Sequence, residues 1–319
     1  MSGAMPLDDA VQILPAQASS VAADVDALFY AILAACVIVC LILFVLIWRF
    51  SLKYWHSRDA DREAHEPQGF RLEFAWTVIP LLVFIGFFVW GARLYLKIEV
   101  PPPDALQVHA LARQWMWKFE HPGGQREINT LHVPLGRPVT VTLISQDVIH
   151  SFFVPAFRIK QDVLPNRYTR IWFEAIEPGR FRLFCAEFCG TSHAGMRGEV
   201  IVMPPAEYQA WLASSAPAES LVARGQRMFR SAGCSGCHDP RSTVHAPDLH
   251  GIFGRTVQLR GGATAVADEA YLRDSMLLPD SRVTAGFAPL MPSFAGQLDE
   301  GEITAIIAYI KSLDAGDSE

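Results

Sequence analysis

The sequence predicts a membrane-anchored multidomain protein: a two-helix transmembrane hairpin, an all-β Greek-key domain, and an all-α domain behind it. Three observations predict this order. Two long apolar runs stand near the N-terminus, short alternating segments follow Pro101-Pro102-Pro103, and the C-terminal part has helical periodicity. The 319 residues suffice for two or three domains at ~100–200 residues each. Half of the chain (51%) is hydrophobic and the mean hydropathy is positive, which is high for a soluble protein. A net charge of −6 without a basic run argues against nucleic acid as a partner.

Ala27 to Trp48 is a run of 22 residues without a formal charge, and Phe74 to Ala92 is a run of 19 bounded by Glu73 and Arg93. Since ~20 apolar residues cross a bilayer as a helix, spans are predicted at about 27–48 and 74–95. A buried core helix is the competing reading of the second run. Pro80 is tolerated in a membrane helix, and Trp48, Trp76 and Trp90 stand near the run ends, where interfacial aromatics belong. Residues 1–27 contain no Lys or Arg, whereas the intervening loop carries Arg49, Lys53, Arg58, Arg62 and Arg71. This asymmetry places the loop in the cytoplasm and both chain ends outside. No basic n-region precedes the first run, so that span is expected to act as the export signal. Cys36 and Cys40 within it read as small packing residues.

After the prolines, "VTVTLIS" alternates, "RYTRIWFEA" is aromatic and β-branched, and "GRFRLFCA" and "GEVIVM" follow glycine turns. Strands at this spacing predict a Greek-key sandwich or barrel. A short helix is predicted around Pro205–Ala213, and "SSAPAES" reads as a linker. Three helices should follow: "ESLVARGQRMFRSAG", stopped by Gly233, "ADEAYLRDSMLL", and "LDEGEITAIIAYIKSL". The last has acids in its first turn and Lys311 near its end, as the helix dipole favours. The acidic tail beyond Leu313 is expected to fray.

Two segments carry chemistry. "FCAEFCGTSHAGM", from Phe184 to Met196, places Cys185 and Cys189 four apart, with His193 and Met196 behind them. A mononuclear blue-copper site takes two histidines, one cysteine and a weak methionine; here there is one cysteine too many. Two thiolates can bridge two copper ions, which would require a second histidine. His150, in "SQDVIHSFFVP" at a strand end, is the upstream candidate; His109, His121 and His132 stand in less ligand-like contexts. A Cys185–Cys189 disulfide competes on the cysteines alone, because the compartment should be oxidising.

The second segment, "CSGCH" at Cys234 to His238, is the C-x-x-C-H signature of covalent c-type haem. A redox dithiol lacks its βαβ context here, and a zinc site lacks a second cysteine pair. For a sixth iron ligand, Met291 in the proline-bounded "FAPLMPSFAG" is preferred. Met276 sits in an apolar helical pattern and reads as core; His245 and His250 are weaker alternatives.

"CAEFCGTSHAGM" with upstream "DVIHSF", "LEFAWTVIP" and "RQWMWKFE" resembles subunit II of cytochrome c oxidase, across both membrane helices and the domain after them. The resemblance implies a cupredoxin-like fold with a binuclear copper centre, CuA, held by His150, Cys185, Cys189, His193 and Met196, with Glu187 ligating through its carbonyl. It also implies a magnesium site at the Glu187 carboxylate, facing subunit I. Trp115, with Trp117 two residues on and on the same strand face, is the candidate for electron input; Glu73 is the candidate at a proton pathway. Where the family has Gly-His before Gln-Trp, this chain has Ala112-Arg113, which puts the local docking surface in doubt.

The CSGCH region, with Gly225 and Phe229 before it, "APDLHGIFGR" after it and Tyr309 in the last helix, resembles a class I cytochrome c. Together the two resemble the caa-type haem–copper oxidases. The implied organisation is an extracytoplasmic segment at 1–26, the hairpin at 27–97, the CuA domain at 98–213, a linker at 214–220, the cytochrome c domain at 221–314 and a tail at 315–319. Haem c would be bound by Cys234 and Cys237, with His238 and Met291 on iron. The implied setting is a bacterial cytoplasmic membrane, with both redox domains periplasmic. Implied partners are membrane lipid, subunits I and III, and a donor such as a soluble or membrane-bound cytochrome c or a quinol-oxidising complex. Electrons would pass from donor to haem c, to CuA, and to the haem of subunit I, where oxygen is reduced and protons are translocated. The alternative is the electron-input subunit of a CuA-containing nitric oxide reductase. A copper chaperone would not need Met196, a haem motif or two spans, and a quinol oxidase subunit would have lost the copper ligands.

Overall fold

The computed structural model describes residues 14–56, 69–215 and 219–313. Arg58 and Arg62 of the loop, the middle of the 214–220 linker, the 315–319 tail and the first residues of the 1–26 segment lie outside these. The chain divides into two units, residues 19–100 and the remainder.

The first unit is the hairpin of α1 (Ala22–Lys53) and α2 (Phe70–Glu99). Both are long and apolar enough to span a membrane, and their apolar stretches are unburied within the protein. The helices outrun the charge-free stretches because nothing in the flanking sequence breaks them: α1 runs on through Arg49 and Lys53. Pro80 lies inside α2. Lys97 pairs with Asp24 at 2.7 Å near one end of the hairpin; both are half-exposed, so the pair adds little stability.

The second unit begins with a β-sandwich. One sheet has the order β3-β2-β1-β5-β8, built from β1 (Leu106–Arg113), β2 (Met116–Glu120), β3 (Arg126–Ile128), β5 (Pro138–Ser145) and β8 (Thr169–Glu174). The other has the order β4-β10-β9-β6-β7, from β4 (Thr130–Pro134), β6 (His150–Val154), β7 (Ile159–Val163), β9 (Gly179–Cys185) and β10 (Arg197–Met203). The crossover order and the parallel pairs β1–β5 and β4–β10 give the expected cupredoxin-like sandwich. Alternation explains its core: Val108, Ala110 and Ala112 of β1 point inward with Trp117 and Phe119 of β2. Residues 15–18 lie along this domain, Ala18 donating to the Ala156 carbonyl while its own carbonyl accepts from Ile176.

The pair Trp115 and Trp117 does not share a face. Arg113 pairs with Met116, so Gln114-Trp115 is a two-residue hairpin loop and β2 starts only after Trp115. Trp117 is fully buried, whereas Trp115 remains about one-third exposed at 36%.

After α3 (Pro205–Ser214) come α4 (Leu221–Ser231), α5 (Ser235–His238), α6 (Glu269–Leu277) and α7 (Glu300–Ser312). Ser220, Asp268 and Asp299 cap α4, α6 and α7, the last in a capping box with Glu302; such caps contribute about 1 kcal/mol each. Helices α4 and α7 cross at Gly225, where a Cβ would lie 1.9 Å from the Ala305 carbonyl oxygen, so only glycine fits. Gly233 ends the α4 region at φ 82°. This helical domain also holds a two-stranded ribbon, β11 (Thr256–Gln258) and β12 (Thr264–Val266), too short to show as alternation in the sequence.

Candidate functional site

Strand pairing assembles the first cluster. In the sheet order β10-β9-β6, Phe152 pairs with Cys185 and Phe184 with Arg197. The start of β6, the end of β9 and the start of β10 therefore meet, and His150, Cys185 and Met196 meet with them. The 186–196 loop is held closed by Ala186 N–H to the Ser151 carbonyl (3.0 Å) and Cys185 N–H to the Met196 carbonyl (3.2 Å). Gly190, at φ 110°, is required here: a Cβ would come within 2.8 Å of Gln114 Nε2.

The ligand atoms of His150, Cys185 and Cys189 all lie within 4.8 Å of one another, the one such group among the described residues. Cys185 Sγ is 3.8 Å from Cys189 Sγ and 3.9 Å from His150 Nδ1. Cys189 Sγ is 3.5 Å from His193 Nδ1 and 3.8 Å from Met196 Sδ. The Glu187 carbonyl lies 3.2 Å from Cys185 Sγ, and its carboxylate side is exposed. Both thiols are free and unbonded to each other, unlike the disulfide reading. Phe188 is exposed and lies beside His193, whereas Phe184 is half-buried.

Burial works against ionising Cys185, but hydrogen bonds with His150 and the Glu187 and Ser151 backbone bring its pKa down to about 6. Burial, followed by the charge of Cys185, pushes Cys189 up to about 12. One thiolate forms readily and opposes the second. A pair of adjacent thiolates flanked by two imidazoles and a thioether needs positive charge to exist, and soft metal ions supply it. The donor set fits copper.

Asp147 is a functional residue that sequence reasoning passed over. Its Oδ1 accepts from His150 Nε2 at 2.8 Å and from Val148 N–H at 2.7 Å, and its Oδ2 accepts from Gln114 N–H at 2.8 Å. This aims His150 Nδ1 at Cys185, the usual role of a carboxylate behind a metal-facing histidine. An acid three residues before a strand-end histidine was the available signal. Gln114 Nε2 and Trp115 Nε1 both donate to the Cys189 carbonyl, at 2.8 and 3.1 Å. Trp115 is thus tied to the cluster from outside, while Trp117 backs His150 from the core, ring to ring at 6.2 Å.

The less ligand-like histidines lie elsewhere. His121 Nε2 is 2.8 Å from Glu127, which also binds His132, and His121 Nδ1 is 3.1 Å from the Tyr208 hydroxyl. His109 lies on the outer face of β1. Glu73 is an exposed first-turn residue of α2.

The second cluster lines a cavity in the helical domain. Cys234, Cys237, His238 and Met291 border it, with Phe229, Leu249, Ile252 and Phe294 among its apolar walls. His238 Nδ1 is 2.9 Å from the Pro247 carbonyl, which fixes its proton on Nδ1 and leaves Nε2 free. Met276 and His245 also border the cavity; Met276 is buried in the apolar core and His245 stacks on Phe287. His250 pairs with Asp248 instead. Thiols, an imidazole with a free nitrogen and a thioether around an apolar cavity fit a haem.

Family models match along the chain: the transmembrane domain of cytochrome c oxidase subunit II over residues 8–91, its periplasmic domain over 124–203, and cytochrome c over 222–314. Cytochrome c oxidase subunit 2 of Alkalihalophilus pseudofirmus is 30% identical over 86% of this chain and 83% of its own. An alternative cytochrome c oxidase subunit 2 of Bradyrhizobium diazoefficiens is 30% identical over 53% of this chain and 72% of its own. The crystal structure of the periplasmic domain of cytochrome oxidase subunit II from Bradyrhizobium japonicum is 29% identical, covering 36% of this chain and 96% of that one with a TM-score of 0.35. A haem–copper terminal oxidase dimer solved by cryo-EM matches at 28% identity and a TM-score of 0.32, over 42% of this chain and 98% of that one. The chain is a two-pass membrane protein with an extramembrane redox region. It belongs to the cytochrome c oxidase subunit 2 family and carries a fused cytochrome c domain. The family matches imply copper for the first cluster and haem for the second.

Proposed function

We propose that this chain is the electron-input subunit of a terminal haem–copper oxidase, taking electrons into its cytochrome c domain, on to its CuA cluster and then to the haem of subunit I. When bound, haem and copper supply reversible one-electron chemistry. The observation that carries the reading is the convergence of His150, Cys185, Cys189, His193 and Met196 in the same chain as the cavity bordered by Cys234, Cys237, His238 and Met291.

Cys185 and Cys189 would hold a pair of copper ions, whose chemistry there would be one-electron transfer with little rearrangement. His150 and His193, each with Nδ1 toward a thiol, together with Met196 and the Glu187 carbonyl, would complete the set that holds the copper. The strand ends hold these groups rigid, and Asp147 fixes the His150 ring. In the cytochrome domain Cys234 and Cys237 would hold the haem covalently, and His238 Nε2 and Met291 Sδ would hold its iron. Trp115, bonded to the Cys189 carbonyl and about one-third exposed, is the contact for incoming electrons. Trp117, sealed in the core, instead packs His150.

The finer roles follow the family. The exposed Glu187 carboxylate would hold magnesium against subunit I, and Glu73 would stand at a proton pathway. Both chain ends and both redox domains are periplasmic on a bacterial cytoplasmic membrane. Subunits I and III, and a cytochrome c or quinol-oxidising donor, complete the system. The relatives' names favour an oxidase over a nitric oxide reductase.

Rapid mixing of the purified complex with a reduced donor tests the order. Haem c absorbance should change first and the copper band should follow. Copper reduction that precedes or bypasses haem c would refute the route.

A further inference from the structure

The sheet β3-β2-β1-β5-β8 carries one polar rung across all five strands. Arg126 pairs with Glu120, Glu120 with His109, His109 with Thr142, and Thr142 with Arg170. Their strand neighbours Val108, Ala110, Phe119, Leu143 and Ile171 fill the sandwich core. Because side chains alternate across a strand, the rung faces outward.

The helical domain meets this rung charge for charge. Arg224 of α4 pairs with Glu120 at 3.2 Å, and Glu269 of α6 pairs with Arg170 at 3.4 Å while holding Lys311 of α7 at 2.7 Å. His109 lies in the field of Glu269, Lys311 and Arg170. Beside the rung, Arg273 donates to the Asn166 carbonyl at 3.2 Å, and its guanidinium lies 5.9 Å from the Tyr168 ring. Glu269 and Arg273 are only 4% and 3% exposed, so these charges have left water.

The two apolar cores are separate, and Tyr168 is the β-domain residue that joins the helical domain's core. Arg224 Nε is buried without a hydrogen-bond partner, so the contact is incompletely satisfied. Glu120, His109, Arg170, Arg224, Glu269 and Arg273 belong neither to the copper-type cluster nor to the haem cavity lining.

We infer that this rung is an electrostatic dock that moors the cytochrome domain to the β domain by surfaces outside both redox clusters. The consequence rests on the two-centre reading above: a moored domain fixes the separation of the centres, whereas a loose tether sets only an effective concentration. Desolvated charge pairs also make the mooring specific, since a reversed partner leaves a buried charge opposed rather than paired.

Hydrogen exchange on the assembled complex tests the dock, read at the 164–168 loop and the first turn of α6. The variants are Glu120→Arg, Arg170→Glu, Arg224→Glu and the swap of Glu120→Arg with Arg224→Glu. Reversing Glu120 or Arg224 should speed exchange in both segments roughly tenfold or more, as loss of a buried charge pair does; Arg170→Glu, whose guanidinium is half-exposed, should act in the same direction by less, and the swap should restore much of the protection. Arg224 also binds the Gly301 carbonyl inside its own domain, so the haem spectrum is followed to show that the fold is kept, and Arg170→Glu provides a variant without that complication. Wild-type exchange in the single variants, or a swap as open as the singles combined, would overturn the dock. Exchange needs no electron transfer, which separates the two ideas. Protected segments without haem-to-copper transfer would keep the dock and discard the relay; open segments with fast transfer would do the reverse.

Discussion

In the β domain, five donor groups come from adjoining strand ends and one tight loop, already within 3.5 to 3.9 Å of their nearest sulfur neighbours. In the helical domain, the CSGCH segment on α5 and Met291 on a distant loop reach a common cavity, and apolar side chains make up much of its wall. The first centre is preorganised at the edge of a sandwich core that its own Cys185, Cys189 and Met196 join, and whose other residues come from the strands of the sandwich. The second shares its apolar cluster with its cavity: Phe229, Leu249, Ile252 and Phe294 belong to both. The occupant of the second cavity should therefore act as part of the core, whereas the metal of the first should act as a fitting on a finished frame.

The sharpest break of this comparison is replacement of both Cys234 and Cys237 by serine. Covalent haem should be lost and the helical domain should unfold at markedly lower temperature, while the copper signal persists; circular dichroism with EPR checks both. Next in size, Cys185→Ser should abolish the binuclear copper signal but leave the β-sandwich folded and the haem spectrum unchanged. If the sandwich unfolds instead, the contrast between the centres disappears. Met291→Leu should lower the haem potential, because Met/His ligation raises it, and should slow electron delivery while the copper spectrum stays intact; spectroelectrochemistry reads the first and rapid mixing the second. Asp147→Asn should be milder, with copper retained but bound about 10–100-fold more weakly, as when the partner behind a metal-facing histidine is lost. A copper competition titration measures it.

The smallest expected effect is pH dependence of the interdomain contact. Burial holds His109 below its ordinary value of 6.5, against the pull of Glu269 and with Lys311 and Arg170 opposing its charge; Glu120 is its cross-strand neighbour. The docked form thus binds fewer protons at His109 than an undocked form would. Docking should be at full strength above pH 6.5 and weaken as pH falls from there through the lowered value. Protection at the 164–168 loop, taken relative to the intrinsic exchange rate at each pH and followed downward from above pH 6.5, reads the change.

Contiguous features were the most legible. CSGCH, the two apolar runs and the Phe184–Met196 segment are short-range patterns whose chemistry depends on spacing alone. His150 was legible as the candidate second histidine from its place at a strand end, but its approach to Cys185 was not, because their proximity depends on β6 pairing with β9. The tryptophans were misread for a local reason: treating "RQWMW" as continuous strand concealed a hairpin loop that separates Trp115 from Trp117. Asp147 was missed because its value lies in three hydrogen bonds, one of them to Gln114 on another strand connection. The outward rung was invisible because a polar residue's rung partner depends on register across five strands, which alternation within one strand does not determine.

The central claim is that one chain holds two different redox centres in tandem. Metal and haem analysis of the purified membrane complex, read together with EPR and optical spectra assigned to this subunit, tests it most directly. Two coppers sharing one unpaired electron in the oxidised state, and one haem that resists acid–acetone extraction, are the expected result. A single copper with a mononuclear spectrum, a Cys185–Cys189 disulfide in the assembled complex, or a haem that extracts freely would contradict it.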